Sequence, residues 1–326
     1  MAPEIHPPSH ILHSDCVVFT AGPTAVGKSE IALQWAEQMD GEIVSVDSMQ
    51  VYRGLDIGTA KPSAADRARI PHHLIDICDL TESFDAAKFA RLAHRAVSEI
   101  QSRGHVPILC GGTGLYFKAF LEGLDEMPSA DAKLRAELET IPMETLLHEL
   151  RDRDPATFEG IDKKNPRRVI RAVEIIRLTG KSLSQQQSRK ALLSQRHESA
   201  ESQGSDEALP PRNLFFVFTR QRDDLNRRID ARVDDMFARG LTDETRELLR
   251  HGLEGNKTAM QAIGYRQAVE HLRGERGLKE TIELVKTKTR QFAKRQLTWF
   301  RSQAGLKWME LKPEESPELA MTRGAS

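Results

Sequence analysis

The sequence is short of cysteine, of aromatic residues and of net charge. Its three cysteines stand far apart in apolar runs without a CxxC pair, so neither a metal site nor a disulfide scaffold is indicated. The formal net charge of −1 provides no global attraction to nucleic acid, so any such surface must be local. No apolar run is long enough to span a bilayer, and residues 1–15 lack the features of a secretory signal. We therefore expect a cytoplasmic protein with reduced thiols.

Short apolar runs alternate with helical patterns over the first 125 residues. The runs "CVVFTA" (16–21), "EIVSVDS" (42–48), "HHLIDI" (72–77) and "HVPILCGGTG" (105–114) are each predicted to be strands. Such alternation is typical of a parallel sheet with helices on both faces. We predict an α/β fold with a P-loop NTPase-like sheet at its core.

The strand signals stop at Pro128, and residues 129–190 have a helical composition and spacing. A polar stretch at 185–212 is typical of a linker, and "NLFFVFT" (213–219) is a further strand, followed by helical patterns. We therefore predict a core at 16–127 and 211–310, a helical insertion domain at 128–210, and loose tails at 1–15 and 311–326.

The stretch "GPTAVGKS" follows the first strand directly and matches the phosphate-binding P-loop pattern G-x-x-x-x-G-K-[ST]. In such a loop the lysine neutralises phosphate oxygens, the hydroxyl residue ligates Mg²⁺, and the helix N-terminus faces the ligand's charge. The pattern predicts that the loop binds phosphate groups, whether of a nucleotide or of a diphosphate, with Ser29 as a magnesium ligand. Its residues are Gly22, Pro23, Thr24, Ala25, Val26, Gly27, Lys28 and Ser29.

A P-loop ATPase also needs an acidic magnesium ligand at the end of an apolar strand, but the strand "VPILC" ends in "GGTG". Asp47, at the end of another strand, is therefore available as a base, although an aspartate there is also typical of a turn cap. The hydroxyl of Thr113 belongs to the same predicted crevice, because ligands bind at the carboxyl ends of parallel strands.

Basic residues are concentrated in three places. Arg222, Arg228 and Arg232 follow the resumed strand, where an arginine could close over a polyphosphate, although for Arg232 a solvated helix face is the favoured interpretation. Residues 163–190 carry nine Lys and Arg against one acid, and residues 286–308 carry seven against none. Such segments in a neutral chain indicate a surface for nucleic-acid phosphates, with the interleaved aromatic residues assigned to the core.

Several segments together resemble bacterial tRNA dimethylallyltransferases. "GPTAVGKS", "VSVDSMQVYRGLDIGTAKP", "PHHLID", "GGTGLYFKAFLEGL", "NPRRVIRAVEI", "IGYRQ" and "RQFAKRQLTWFR" occur in the order found in that family. The resemblance covers nearly all of residues 16–308. It implies transfer of a dimethylallyl group from dimethylallyl diphosphate to the exocyclic amine of the adenosine 3′-adjacent to the anticodon, with Mg²⁺ as cofactor.

The same resemblance assigns roles to individual residues. It makes Asp47 the base that takes the amine proton, Thr113 a hydroxyl partner at the reacting centre, and Arg222 a diphosphate ligand. It implies that the insertion grips the anticodon stem-loop of a tRNA bound by a monomeric enzyme. The tRNA-contacting residues implied are Asp47, Ser48, Met49, Gln50, Thr113, Arg135, Arg167, Arg168, Arg171, Gln261, Ile263, Gly264, Tyr265 and Arg266.

Three other functions remain open at this point. An adenylate isopentenyltransferase shares the P-loop and the aspartate but acts on free AMP. A small-molecule kinase would place ATP in the same loop, and a nucleic-acid-binding ATPase would combine the loop with the basic segments.

Overall fold

The computed structural model describes residues 16–123, 128, 131–184 and 213–312. The predicted loose tail at 1–15, residues 313–326 of the other tail, and the polar stretch at 185–212 lie outside these ranges. The chain divides into two compact units. Unit 1 comprises Met1–Gly123 with Leu209–Ser326, and unit 2 comprises Leu124–Ala208.

Unit 1 contains a six-stranded sheet of order β3-β2-β4-β1-β5-β6 in which every neighbouring pair is parallel. The strands are β1 (Val17–Ala21), β2 (Gly41–Val46), β3 (His72–His73), β4 (Val106–Gly111), β5 (Asn213–Arg220) and β6 (Lys307–Leu311). The central strand β1 lies between β4 and β5, with Phe19 opposite Leu109 and Phe215. The predicted parallel sheet is confirmed.

Twelve α-helices lie within the described ranges of the two units. They are α1 (Lys28–Gln38), α2 (Ala64–Arg69), α3 (Ala86–Ser102), α4 (Gly114–Glu122), α5 (Ala132–Thr140), α6 (Met143–Arg153), α7 (Pro155–Gly160), α8 (Pro166–Thr179), α9 (Arg222–Ala238), α10 (Leu241–Arg250), α11 (Tyr265–Leu272) and α12 (Leu278–Arg301). Short 3-10 turns at Leu253–Gly255 and Ala259–Gln261 lie between α10 and α11.

Side chains alternate along β1 and divide the core of unit 1 into two layers. Val17 and Phe19 belong to one layer, with α3, α4 and α11, whereas Val18 belongs to the other, with α1 and α9. Helices therefore cover both faces of the sheet, as predicted. All three cysteines are buried, and none of them forms a disulfide bond. No helix in the described ranges has both the length and the apolar character needed to cross a membrane.

Unit 2 is a small helical assembly made from α5, α6, α7 and α8. The predicted apolar stripe of α8 (Val169, Val173 and Ile176) is fully buried against Leu146 and Leu150 of α6. Among the described residues of this unit there is no strand. The sequence prediction places the helical insertion at 128–210.

Two sequence predictions in unit 1 need correction. The expected strand at 72–77 shortens to His72–His73, because Leu74 and Asp76 adopt positive φ angles of 61° and 56° that break an extended chain. The expected helical C-terminus instead ends in β6, which pairs with β5. Leu311, predicted to begin a loose tail, is fully buried at the end of this strand, whereas Trp308, predicted to lie in the core, is 38% exposed.

An ion cluster centred on Glu42 lies near the amino end of the sheet. The Glu42 carboxylate is 5% exposed and accepts hydrogen bonds from Arg103 at 2.8 Å and 2.9 Å, and lies 2.6 Å from His73 Nε2. Burial opposes ionisation of Glu42, but the bonds from His73 and Arg103 outweigh it and hold its pKa below the usual 4.5. The cluster is a stabilising element remote from the carboxyl edge of the sheet.

Candidate active site

A cavity of about 730 Å³ opens at the carboxyl edge of the sheet in unit 1. The segments that follow β1, β2 and β4 all line it, and so do faces of α9 and α12. Lys28, Asp47 and Thr113, which the sequence analysis placed at three separate strand ends, are therefore brought together around one space. This is the location that parallel α/β sheets provide for ligands.

The P-loop between β1 and α1 has the backbone of a phosphate-binding turn. Gly22 and Gly27 have φ angles of 152° and 107°, and Ala25 is in the left-handed region at 63°. A Cβ at Gly22 would lie 2.6 Å from the Phe218 carbonyl oxygen, so glycine is required there for packing as well. Strained non-glycine backbone of this kind is concentrated at ligand sites.

Two arginines hold the outer side of this loop. Arg220 Nε donates to the Val26 carbonyl at 2.8 Å, and Arg228 Nε donates to the Ala25 carbonyl at 2.9 Å. In a trans peptide the carbonyl and the following N–H point in opposite directions, so the Gly27 amide is turned away from Arg220. The arginines thereby orient loop amides and occupy carbonyls that would repel an anion.

The cavity wall carries positive charge from Lys28 and Arg232. Lys28 begins α1, and burial lowers its pKa. Burial also lowers the pKa of Arg232, whereas the Asp47 carboxylate opposes that shift. Arg232 makes no hydrogen bond or ion pair to any residue in the described ranges, so its donors are available to an anion in the cavity.

Arg222 and Arg232 differ in their position relative to the cavity. Arg222, expected at the diphosphate, is exposed at the first turn of α9 and does not line the cavity. Arg232, expected on a solvated face, lies almost three turns further along the helix and does line it. Periodicity alone did not show which face of α9 meets the cavity, and the diphosphate contact of Arg222 stays a prediction.

Asp47 combines a turn cap with a carboxylate at the cavity. Its Oδ1 accepts from the backbone N–H of Met49 at 2.8 Å and of Gln50 at 3.3 Å, so the cap interpretation is correct for that oxygen. Its Oδ2 has no hydrogen-bond partner among the described residues, and the side chain lines the cavity. The turn therefore fixes one oxygen and leaves the other to face a ligand.

Thr113 is held beside Asp47 by the glycine turn after β4. Its backbone N–H donates to the Val46 carbonyl at 3.3 Å, which ties the turn to the residue preceding Asp47. Thr113 is the N-cap residue of α4, but its hydroxyl makes no capping bond, so this hydroxyl is free to meet a ligand. The Thr113 hydroxyl and the Asp47 carboxylate thus line the cavity together with Lys28 of the P-loop.

The donor set suits a magnesium ion that is held chiefly by its ligand. No group of three His, Cys, Asp or Glu side chains in the described ranges is placed to bind a metal ion. Ser29 and Asp47 both line the cavity, and Mg²⁺ accepts one or two such oxygens when phosphate and water supply the rest.

Comparison with known proteins identifies the family. A model of the family described as IPP transferase matches residues 50–303. The chain belongs to the IPP transferase family. It is 46% identical to tRNA dimethylallyltransferase 1 of Trichlorobacter lovleyi over 92% of this chain and 95% of that one. It is equally identical to the tRNA dimethylallyltransferase of Halorhodospira halophila, over 88% and 90%.

Solved structures give the same result. The full-length tRNA isopentenylpyrophosphate transferase of Bacillus halodurans matches with a TM-score of 0.67 and 38% identity, covering 94% of both chains. A eukaryotic dimethylallyltransferase acting on tRNA matches with a TM-score of 0.69 and 29% identity, covering 91% of this chain and 73% of that one. The family resemblance and the P-loop-like fold predicted from the sequence are confirmed.

The family's predicted tRNA contacts in unit 1 fall into two groups. Ser48, Met49, Gln50, Gln261 and Ile263 line the cavity together with Asp47 and Thr113. Gly264, Tyr265 and Arg266 do not line it.

The side chain of Tyr265 is fully buried, and its contact with tRNA stays a prediction. Its hydroxyl donates to Glu244 at 2.5 Å and accepts from the Gly58 N–H at 3.1 Å, so it anchors the loop beside the cavity. Gly264 supports the same region, with a φ of 103° at the start of α11. Arg266 is exposed and paired with Glu270.

The predicted tRNA contacts in unit 2 also differ among themselves. Arg167 and Arg168 are exposed on the first turn of α8. Arg135 and Arg171 instead bond the fully buried carboxylate of Glu174, at 3.0 Å and 2.6 Å. Burial opposes ionisation of Glu174, but these bonds outweigh it and lower its pKa. Glu174, the single acid of residues 163–190, is therefore a structural centre whose negative charge is paired with the positive charges of Arg135 and Arg171.

Proposed function

We propose that this chain transfers a dimethylallyl group from dimethylallyl diphosphate to the exocyclic amine of the adenosine 3′-adjacent to the anticodon of tRNA. The observation that carries the proposal is the convergence of a cationic P-loop with Asp47 and Thr113 around one cavity. The relatives named tRNA dimethylallyltransferase, similar over most of their length, support the same reaction. We further propose that the enzyme acts as a cytoplasmic monomer.

In this proposal the P-loop side of the cavity binds the donor. Lys28, the amides at the start of α1 and Arg232 contact the diphosphate and stabilise the negative charge that grows on it as the allylic C–O bond breaks. Mg²⁺ held by Ser29 would neutralise part of the same charge. The bonding electron pair leaves with the diphosphate, and the allylic carbon becomes electrophilic.

The other side of the cavity holds the acceptor. An aromatic amine is a weak nucleophile, so alignment and proton removal contribute most of the acceleration on that side. The free Oδ2 of Asp47 accepts the amine proton as the new N–C bond forms, and the Thr113 hydroxyl orients the adenine. The adenine must leave the anticodon-loop stack to enter the cavity, which single-stranded loop bases permit at modest cost.

A comparison of acceptors tests the proposal. Purified protein with Mg²⁺ and dimethylallyl diphosphate is given an anticodon stem-loop RNA, the same RNA with guanosine at the target position, or AMP. Nucleoside mass spectrometry should find prenylated adenosine only with the first RNA. Equal prenylation of AMP would replace the proposal with an adenylate isopentenyltransferase. In a parallel reaction that contains ATP in place of dimethylallyl diphosphate, consumption of ATP by a protein that transfers no prenyl group would favour the kinase.

A further inference from the structure

The side chain of Gln296, on α12, connects two loops that come from distant parts of the chain. Its Oε1 accepts from the backbone N–H of Thr24 in the P-loop at 2.9 Å, and its Nε2 donates to the Gly112 carbonyl at 2.9 Å. The two partners fix the orientation of the amide, because an N–H requires the oxygen and a carbonyl requires the NH₂ group. Gln296 is only 8% exposed, and its bond to Gly112 is buried whereas its bond from Thr24 is part-buried.

The glycine turn after β4 leaves space for this contact and for little else. A Cβ on Gly112 would lie 2.2 Å from Gln296 Nε2 and 3.1 Å from the Gly22 carbonyl oxygen. A Cβ on Gly114 would lie 2.2 Å from the ring of Trp299, one turn further along α12. Both glycines are thus explained by the close approach of α12 to the turn, which brings Gln296 between the loops.

We infer that Gln296 is a positioning residue that sets the separation between the diphosphate-binding loop and the turn that carries Thr113. The inference rests on the proposed function, in which Thr24 belongs to the donor side and Thr113, next to Gly112, belongs to the acceptor side. Only a glutamine-like group both accepts from one loop and donates to the other. Gln296 also lines the cavity, and in this role it acts through the two loops.

The size of the effect follows from the distance dependence of group transfer. Without the amide, the P-loop N–H and the Gly112 carbonyl lose their partners, and the loops are free to separate. A misplacement of about 1 Å between reacting groups costs on the order of 100-fold in rate. Loss of Gln296 should therefore lower kcat by about 10- to 100-fold. The KM for tRNA should change less than about threefold, because no RNA contact is removed.

The test compares Gln296→Met with Gln303→Met, using the stem-loop RNA and dimethylallyl diphosphate. Methionine keeps the length of the side chain and removes both hydrogen bonds. Gln303 lies just beyond the end of α12, and its side-chain amide donates to Trp299 and Ser302, so its variant makes the same chemical change away from the loops. We expect a large fall in kcat for Gln296→Met and none for Gln303→Met. Equal kcat values would overturn the inference.

Gln296→Glu adds a readout that a merely structural role would not change. A protonated glutamic acid still accepts from Thr24 and donates to Gly112, whereas the carboxylate cannot donate and repels the carbonyl. Burial raises the pKa of such a carboxyl. The kcat of Gln296→Glu relative to wild type should therefore rise about tenfold between pH 8.5 and pH 5.5. A ratio that does not change with pH contradicts the inference.

Two controls keep the result interpretable. If the wild-type protein does not prenylate the stem-loop, the proposed function fails. If the wild type is active and Gln296→Met has the same kcat, only the positioning role of Gln296 is refuted. If Gln296→Met does not fold, as judged by its thermal unfolding, the pH dependence of Gln296→Glu decides alone. Gly112→Ala approaches the contact from the other side and should lower kcat without raising the KM for tRNA.

Discussion

Replacement of Asp47 by asparagine separates the two functions that the structure gives to this side chain. Asparagine retains an Oδ1 that accepts from the Met49 and Gln50 amides, at 2.8 Å and 3.3 Å in the native turn, so the turn should survive. Only the Oδ2 that faces the cavity changes, from a proton acceptor to an NH₂ donor. The folding stability and the tRNA affinity should therefore remain close to wild type.

The loss should appear in the chemical step. Removal of a general base typically costs 10²–10⁴-fold, so the single-turnover rate of Asp47→Asn should fall by about this factor. Asp85→Asn is the matched control, because Asp85 caps α3 through a 2.8 Å bond from the Lys88 N–H and does not line the cavity. If Asp47→Asn and Asp85→Asn both retain at least a third of the wild-type rate, Asp47 is only a cap and the mechanism is wrong.

Three further outcomes follow from the contacts described above. Arg232→Gln should lower kcat/KM for dimethylallyl diphosphate by about 100-fold in steady-state assays, whereas Arg222→Gln should leave it within about threefold. The reverse order would assign the diphosphate contact to Arg222 instead. Glu42→Gln should cost about 1–3 kcal/mol of unfolding free energy at pH 7. Because the folded-state pKa of Glu42 is lowered, that difference in unfolding free energy is fully present above the usual pKa of 4.5 and is lost as the pH falls through the lower folded-state pKa. Urea unfolding at a series of pH values measures it. Arg168→Glu should weaken tRNA binding and flatten its dependence on salt concentration, with the melting temperature unchanged. Arg171→Glu should lower the melting temperature, and equal melting temperatures for the two variants would refute the structural role of Arg171.

The parts of the fold that sequence reasoning predicted are those set by local patterns. The P-loop, the runs around β1, β2, β4 and β5, and the buried stripe of α8 are all visible as motif or periodicity, and the structure agrees with them. The strand β6 was missed because "KWMEL" follows a long basic helix and gains its strand character from pairing with β5. Pairing between two segments almost ninety residues apart cannot be predicted from the local pattern of either segment.

The candidate site shows the same division. Lys28, Asp47 and Thr113 could be found because each lies in a segment that follows a recognisable strand. Arg232 and Gln296 could not, because their roles depend on which face of α9 and α12 meets the sheet edge. A signal for Gln296 does exist in retrospect: it is a polar residue among the spaced apolar positions Ala293, Leu297 and Phe300 of an otherwise amphipathic helix.

The glycine turn after β4 explains why this P-loop must find its acid elsewhere. An ATPase places a magnesium-binding carboxylate at the end of such a strand. Here a Cβ on Gly111 would lie 2.1 Å from the Val46 carbonyl oxygen, so this position accepts no side chain, and a Cβ on Gly112 would have to displace the Gln296 amide. The missing carboxylate is therefore a steric consequence of how tightly β2, β4 and α12 approach one another. Of the acids that line the cavity, Asp47 is the one at the carboxyl end of a strand, where it can serve as a base for the acceptor amine instead of as a metal ligand.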